Sequence, residues 1–267
     1  MPALRRDCLS VLKKMSERPR LTIAISTVAS RIKGINFPPS ALEHELLVIV
    51  QNQEESSYLI EDRRAKLIEL KNRGVAKSRN AAIERASGEF LLFSDDDITI
   101  EETGVQKALD YLVANPKCAI VLAQAKDETG ALRKNYATQI APLRLTNSAR
   151  AATYEMIIRV DAIREAAIRF DERFGAGAEL YLGDEYIFIA DALRAGLGGV
   201  HLPVVIATHP SDSSGSRWGS EKDLTARAAV FTRVFGWQAP IYRFAFLLKN
   251  KQKFPGILPA LRFIFKR

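Results

Sequence analysis

Short runs of apolar, β-forming residues alternate along the first half of the chain with segments whose apolar residues recur at helical spacing. Runs that are apolar throughout are typical of strands covered on both faces. The alternation predicts an α/β fold with a parallel, doubly wound sheet, in which ligands bind beyond the carboxyl ends of the strands. The predicted strands are residues 21–26, 46–50, 66–70, 90–93 and 119–125, and the predicted helices are residues 75–86 and 104–115.

The second half of the chain is less regular, and both ends are basic. Apolar residues recur at helical spacing over residues 241–248, which predicts an amphipathic helix there. The further predicted elements are a basic amphipathic helix at 1–20, strands at 155–158 and 204–207, a glycine-bearing loop at 171–183, a helix at 184–195, and a flexible loop with a basic amphipathic tail over 211–267.

The formal net charge of +8 is concentrated at the ends of the chain, and residues 241–267 contain seven basic and no acidic residues. Aromatic and aliphatic residues among positive charges favour an interfacial helix, so we expect this tail to dock on an anionic membrane surface. The alternative is that its apolar residues pack against the core or a second subunit. The sequence shows no run of about 20 apolar residues that could span a bilayer and no signal peptide. Its two cysteines indicate no disulfide framework and so favour a reducing compartment. The expected location is therefore the cytoplasm, with peripheral attachment to the inner face of the membrane.

Three adjacent carboxylates, Asp95, Asp96 and Asp97, follow directly on a predicted strand. Such carboxylates repel one another, and a cation that neutralises them relieves the repulsion. Mg²⁺ or Mn²⁺ prefers oxygen ligands and commonly keeps substrate phosphates in its shell. The spacing alone leaves two interpretations open: a divalent metal site, or an acidic surface turn that caps the following helix.

The context of these carboxylates resembles that of a known family. Residues 72–80 read Asn-Arg-Gly-Val-Ala-Lys-Ser-Arg-Asn, and residues 86–97 read Ala-Ser-Gly-Glu-Phe-Leu-Leu-Phe-Ser-Asp-Asp-Asp. Downstream, an acidic pair at 184–185 opens a predicted helix that ends at Gly196. Over residues 21–210 the chain resembles the family 2 glycosyltransferases. The resemblance implies a GT-A fold with a Rossmann-like, mostly parallel sheet, divided into a nucleotide-sugar half (21–125) and an acceptor half (126–210).

The resemblance implies a metal-binding role for Asp95 and Asp97, the two acids of an Asp-x-Asp motif. Asp95 or Asp96 would also face the ribose of the donor. His209, after the last predicted strand, corresponds to a histidine that many related enzymes carry near the diphosphate or metal, although a lone histidine can also be merely structural. The implied cofactor is Mn²⁺ or Mg²⁺.

The resemblance also implies donor-binding roles for Thr27, Gln51 and Arg79. Thr27 ends the first strand, where the family contacts the nucleotide. The family usually ends its second strand with acids that read the base, and this chain has Gln51 there instead. Arg79 belongs to the Arg-Asn pair expected on the nucleotide side of the cleft; the alternative is a salt bridge on an exposed helix face.

In inverting members of the family, the acidic pair that corresponds to Asp184 and Glu185 supplies the catalytic base. An alcohol is a poor nucleophile unless a general base accepts its proton, so a carboxylate near the acceptor hydroxyl is required. The order here is Asp-Glu where Glu-Asp is commoner, so Glu185 occupies the usual base position and Asp184 remains a competitor. The alternative role is capping, since acids favour helix N-termini.

The implied function is metal-dependent transfer of a sugar, with inversion, from a nucleotide diphosphate donor to a hydroxyl of a glycan or lipid-linked acceptor. UDP is the expected nucleotide, and bacterial-type surface polysaccharide synthesis is the expected setting. A nucleotidyltransferase is disfavoured because the loop after the first strand lacks glycine. A nucleic-acid-binding module is disfavoured because the basic tail does not interleave aromatic residues on a β surface. A catalytically inactive relative is disfavoured because the acids are retained.

Overall fold

The computed structural model describes residues 20–39, 44–52, 54–210 and 219–266. The predicted N-terminal helix lies outside these residues, apart from Arg20, and so do residues 211–218 of the predicted loop and tail. No helix within the described ranges is both long and apolar enough to cross a bilayer.

The strands found in the described residues form one twisted sheet of nine, in the order β3-β2-β1-β4-β8-β6-β9-β5, with β7 also paired to β9. The strands are β1 (Leu21–Val28), β2 (His44–Gln51), β3 (Ala65–Leu70), β4 (Phe90–Asp95), β5 (Thr99–Ile100), β6 (Cys118–Lys126), β7 (Ala141–Pro142), β8 (Met156–Arg159) and β9 (Gly198–Thr208).

The sheet is mostly parallel, as predicted, and the long strands β1, β2, β3, β4, β6 and β9 share one direction. The strand β8 departs from the predicted pattern, because it lies antiparallel between β4 and β6. Parallel neighbours need a crossover connection, usually a helix. The segment between β6 and β8 contains the short strand β7 and a 3₁₀ turn but no α-helix, so the chain re-enters the sheet from the same edge at which β6 leaves it.

The helices are α1 (Val75–Arg85), α2 (Glu102–Ala114), α3 (Val160–Glu165), α4 (Asp184–Arg194), α5 (Glu221–Phe235), α6 (Ala239–Lys249) and α7 (Ile257–Phe265). The helix α5 falls in the segment predicted as loop and tail. Ser220 caps its N-terminus: the Ser220 hydroxyl accepts a hydrogen bond from the backbone N–H of Asp223, 3.1 Å away, which is the usual chemistry of an N-cap.

Hydrophobic residues cover both faces of the sheet. Along β1, Ile23 and Ile25 belong to the core on the α2 side, whereas Ala24 belongs to the core on the side of α1 and α4. Alternate residues of a strand point to opposite faces, which explains why the predicted strands are apolar throughout. This double cover leaves the carboxyl edge of the parallel strands as the open side on which a site can form.

The packing of α2 against β9 is close enough to require a glycine. A Cβ atom at Gly104 would lie 1.7 Å from the backbone oxygen of Val205. We therefore expect Gly104→Ala to lower the free energy of unfolding by about 3 kcal/mol, in the range of overpacked cores, as measured by urea denaturation. Gly34→Ala is the matched control, because nothing lies within 4 Å of a Cβ atom there. Equal stability of the two variants would contradict this packing.

Candidate active site

The carboxyl ends of β1 and β4 bring the first group of predicted site residues together. The two strands are parallel neighbours, with Ser26 paired to Asp95. Thr27 therefore lies beside the acidic triplet, although 69 positions separate it from Asp96. The Thr27 hydroxyl donates a hydrogen bond to Oδ2 of Asp96 over 2.6 Å.

An arginine that the sequence analysis did not select lies among these carboxylates. The Nη2 atom of Arg31 is 2.5 Å from Oδ1 of Asp96 and 3.1 Å from Oδ2 of Asp97. Arg31 lies in the 3₁₀ turn that follows β1. Its position in the loop after the first strand, at the edge where ligands bind, is the sequence signal that could have identified it.

The three carboxylates differ in burial. Asp96 is buried, whereas the Asp97 side chain is 40% exposed. Burial raises the pKa of Asp95 and of Asp96, and the neighbouring charge of Asp97 adds to the rise at each. Arg79 opposes the shift at Asp95, and Thr27 and Arg31 oppose it at Asp96. A dense negative site that is only partly neutralised by protein groups suits a further cation.

The second group forms around the buried Arg79, whose charge also acts on Asp95. Its Nη1 atom donates to Oδ2 of Asp184 in a very short contact and lies 3.3 Å from Oε1 of Glu185. The side chains of Arg79 and Asp184 are 7% and 3% exposed, whereas that of Glu185 is 21% exposed. Of the two acids that open α4, Glu185 is therefore the one that a ligand can reach.

The two carboxylates that share Arg79 have pKa values shifted in opposite directions. Burial and the nearby charge of Glu185 raise the pKa of Asp184 against the opposing effect of Arg79. Burial also acts to raise the pKa of Glu185, but Arg79 and hydrogen bonds to the carboxylate outweigh it, so that pKa is lowered. One of these bonds comes from the Thr153 hydroxyl, 3.0 Å from Oε1. The geometry thus favours an ionised Glu185 at neutral pH.

The Arg-Asn pair of α1 holds the loop that leads to α4. The side chain of Asn80 donates to the backbone oxygen of Phe170 over 3.0 Å and accepts from its N–H over 2.8 Å. Gly175, with φ +96°, packs so closely that a Cβ atom would lie 2.7 Å from Cγ of Asp184. Adjacent residues of one helix therefore fix both the acidic pair and the loop before it.

His209 lies just beyond β9 and is oriented by contacts on both sides. Its ring centroid is 5.0 Å from that of Tyr154, and its backbone oxygen accepts a hydrogen bond from Nη1 of Arg133 over 2.9 Å. Asp95 is one of the charges that contribute to the raised pKa of Tyr154. His209 is thus near the acidic edge, but within the described ranges no three His, Cys, Asp or Glu side chains converge as a preformed metal cluster.

Gln51, at the end of β2, borders a separate polar cavity. Its side-chain oxygen accepts a hydrogen bond from the backbone N–H of Gly74 over 2.7 Å, which leaves its amide NH₂ without a partner among the described residues. The cavity has a volume of about 110 Å³. Its lining includes Val28, Ser30, Gln51, Asn52, Glu54 and Arg73.

Comparison with known proteins identifies the family and the fold class of this chain. Residues 7–171 match the model of Glycosyl transferase family 2. The match covers more than half of the chain, so the chain belongs to Glycosyl transferase family 2 and is a glycosyltransferase. An uncharacterized protein of Haemophilus influenzae is 31% identical over 137 residues, which are 50% of this chain and 70% of that protein.

Solved structures with the same fold include those of TarS from S. aureus. The structure of TarS residues 1–349 has a TM-score of 0.58 at 16% identity, and the match covers 92% of this chain and 81% of that chain. The structure of the same fragment in complex with UDP-GlcNAc has a TM-score of 0.54 at 17% identity, with 81% and 67% covered. These similarities confirm the predicted GT-A-type fold.

Proposed function

We propose that this glycosyltransferase moves a sugar from a nucleoside diphosphate donor to an acceptor hydroxyl, with inversion at the anomeric carbon. One observation carries the proposal: the acidic edge at the end of β4 lies within electrostatic reach of a partly exposed carboxylate held by a buried arginine, since the charges of both Arg79 and Glu185 act on Asp95. The first feature suits a charged diphosphate with its cation, and the second suits removal of a proton from the acceptor.

The donor would lie along the carboxyl ends of β1, β2 and β4. The polar cavity beside Gln51 suits the nucleobase, since the free amide NH₂ of Gln51 can donate to a carbonyl oxygen of uracil. Asp95 or Asp96 would accept from the ribose hydroxyls, and Thr27 holds Asp96 in place. TarS has been solved in complexes with UDP-GlcNAc and with UDP, and the shared fold supports a UDP-sugar here.

The residues at this edge fit a divalent cation. All of the candidate side chains at the end of β4 are oxygen ligands, as Mg²⁺ and Mn²⁺ prefer. Mg²⁺ is usually held by one or two carboxylates together with substrate phosphates, so a preformed three-residue cluster is not required. Asp97 and Asp95 would hold the cation, with His209 as a further candidate. When bound, the cation would neutralise charge on the diphosphate.

In the proposed reaction, Glu185 takes the proton from the acceptor hydroxyl. The acceptor oxygen forms a bond to the anomeric carbon of the sugar while the bond from that carbon to the diphosphate oxygen breaks. The leaving nucleoside diphosphate keeps the electron pair, and the proton remains on Glu185 until it passes to solvent. Arg79 and Thr153 keep Glu185 ionised and oriented before the step, which is the requirement for a general base.

Asp184 would serve this reaction as a positioning residue. It is almost completely buried and forms an ion pair with Arg79, so its carboxylate is not exposed to an acceptor. Its carboxylate instead fixes the guanidinium that Glu185 shares. This assigns the two members of the acidic pair to different tasks, with Glu185 as the base.

The acceptor proposed for this enzyme is a hydroxyl of a glycan or a lipid-linked glycan, in bacterial-type surface polysaccharide synthesis at the cytoplasmic face of a membrane. The support is the basic, apolar C-terminal segment, which would place the cleft near acceptors held in a bilayer. Nucleic acid is not proposed as a partner.

Nucleotide preference gives a test that requires no knowledge of the acceptor. With Mn²⁺ present, we expect UDP to raise the melting temperature more than GDP, CDP or dTDP at equal concentration, because ligand binding to the folded state stabilises it. In Gln51→Ala the advantage of UDP over the other nucleotides should shrink. A larger shift with another diphosphate would reject the uracil assignment, and no shift with any of them would reject the donor site.

A further inference from the structure

The described C-terminal helices show an unusual concentration of exposed apolar side chains. Among the described residues, thirteen large hydrophobic side chains are exposed, and eight of them lie between residues 237 and 265. The remaining five are scattered singly over the earlier part of the chain, as is normal for a globular surface. We name the eight the C-terminal face: Trp237, Ile241, Phe244, Leu248, Ile257, Leu258, Leu261 and Phe265.

The apolar residues of α6 and α7 divide into two sets. Phe246 of α6 and Phe263 of α7 point inward and meet Phe231 of α5, with ring centroids 5.3–6.0 Å apart. On α6, Ile241, Phe244 and Leu248 recur at the spacing of one helical face and are exposed. Packing of the three helices explains why the inward residues are apolar, but it does not explain why the exposed residues are apolar.

A buried arginine fixes the helices that carry this face. Arg243 is 1% exposed and donates to the backbone oxygens of Ala228, Ile264 and Lys266 over 2.7, 3.1 and 2.6 Å. The last two oxygens belong to the C-terminal end of α7, where a cation is favoured by the helix dipole. One side chain on α6 thus connects α5 and α7, so the C-terminal face is part of a folded unit.

The same unit is attached to the helix that carries the proposed base. Arg233 of α5 lies 2.6 Å from Oδ2 of Asp191 on α4 and 3.0 Å from Oδ2 of Asp171. Val230 and Val234 of α5 pack with Ile187 of α4 in one buried cluster. Binding of α6 and α7 to an external surface would therefore fix the distance and orientation of α4, and of Glu185 on it, relative to that surface.

The charge around the C-terminal face is of one sign. Residues 236–266 contain no acidic residue, and the basic residues other than Arg243 are exposed there: Lys249, Lys251, Lys253, Arg262 and Lys266. A symmetric dimer would place this basic surface against its own copy and would be opposed by repulsion. An anionic lipid surface attracts the cations and accepts the apolar side chains.

We infer that the C-terminal face docks on an anionic lipid bilayer. Trp237 and Phe244 enter the interfacial region, where aromatic side chains are favoured, and the lysines and arginine lie at the level of the headgroups. This inference rests on the proposed function only for the location of the acceptor, because lipid binding itself needs neither donor nor catalysis.

The test is co-sedimentation of the full chain with vesicles. We expect binding to vesicles of phosphatidylcholine containing phosphatidylglycerol, and much weaker binding to phosphatidylcholine alone or in high salt. Ile257→Ser with Phe244→Ser should abolish binding, and Lys249→Gln with Lys251→Gln should weaken it by roughly fivefold per charge removed. Each substitution is at an exposed position, so the buried contacts of Phe231 with Phe246 and Phe263 are kept. Truncation of the chain before α6 would remove those contacts and expose Phe231.

The matched controls lie outside the C-terminal helices. Leu132→Ser with Ile140→Ser removes two exposed apolar residues, and Lys107→Gln with Lys117→Gln removes two exposed charges. Wild-type binding in these controls supports the inference. Failure of the wild-type chain to bind anionic vesicles at low salt overturns it, as does equal loss of binding in the controls. The inference is also overturned if the wild-type chain is a dimer in solution and the double variant Ile257→Ser with Phe244→Ser is a monomer, because the C-terminal face would then join two copies of the chain. Sugar transfer to a soluble acceptor, measured in parallel, reports separately on the proposed function.

Discussion

Glu185→Gln should lower kcat by about 10²–10⁴-fold, the usual contribution of a general base, with little change in KM for the donor. The amide keeps the size of the side chain and can still accept from Thr153, but it cannot take the acceptor proton. Loss confined to kcat marks an interaction that acts in the transition state. The measurement is steady-state kinetics of sugar transfer with donor and acceptor varied separately.

The matched control for this variant is Glu165→Gln, which changes an exposed glutamate at the end of α3. Because Arg79 and hydrogen bonds to the carboxylate lower the pKa of Glu185, the loss of activity that comes from protonation of Glu185 itself should occur only in acid, below the usual range of a glutamate. Normal turnover in Glu185→Gln would refute its role as base. Normal turnover in both Glu185→Gln and Asp184→Asn would refute the acidic pair altogether.

Asp97→Ala should abolish metal-dependent transfer, with a loss of at least about 10²-fold, because the cation would supply several kcal/mol of charge stabilisation at the diphosphate. The side chain is 40% exposed and has Arg31 as its ion-pair partner, so the fold should survive the change. Mn²⁺ titration of activity, together with a melting curve of each variant, measures both effects.

Asp110→Ala is the control for the acidic edge, since Asp110 is an exposed aspartate of α2 that pairs with Arg20. It should leave the metal dependence unchanged. If the wild-type enzyme transfers sugar at its full rate in EDTA, or if Asp97→Ala keeps the wild-type dependence on Mn²⁺, the proposed metal site is wrong.

The first half of the fold could be predicted because its signals are local. A run such as the one in β2 is apolar throughout, since both faces are covered, and the spacing in α1 is that of a single helical face. The direction of β8 could not be predicted in the same way. It depends on how residues 127–155 return to the sheet, which no local periodicity records.

The candidate site also contains both residues that local sequence motifs identify and residues that only the fold brings into place. Asp95, Asp97 and Glu185 could be selected from motifs that are continuous in sequence. Arg31 and Thr153 could not, because each acts on a carboxylate that is distant along the chain: Arg31 contacts Asp97 from 66 positions away, and Thr153 contacts Glu185 from 32 positions away. Such pairings depend on the register of strands and on turns, and both are properties of the folded sheet.

The C-terminal segment illustrates a third case. Its amphipathic spacing is visible in the sequence, but the spacing alone is compatible both with docking on a membrane and with packing on the core. In the structure both Phe246 and Phe263 pack inside while Phe244 and Ile257 remain exposed. Periodicity identifies an apolar stripe but does not determine how much of it neighbouring helices cover.

The central claim is that the cleft transfers sugar from a nucleoside diphosphate donor, and release of nucleoside diphosphate from a panel of nucleotide sugars tests it most directly. We expect release of UDP from at least one UDP-sugar in the presence of Mn²⁺ or Mg²⁺, and faster release with a glycan acceptor than without one. Release should be absent in EDTA and strongly reduced in both Asp97→Ala and Glu185→Gln. Rates at the level of a protein-free blank for every donor, with the folded wild-type chain and the cation present, would contradict the account.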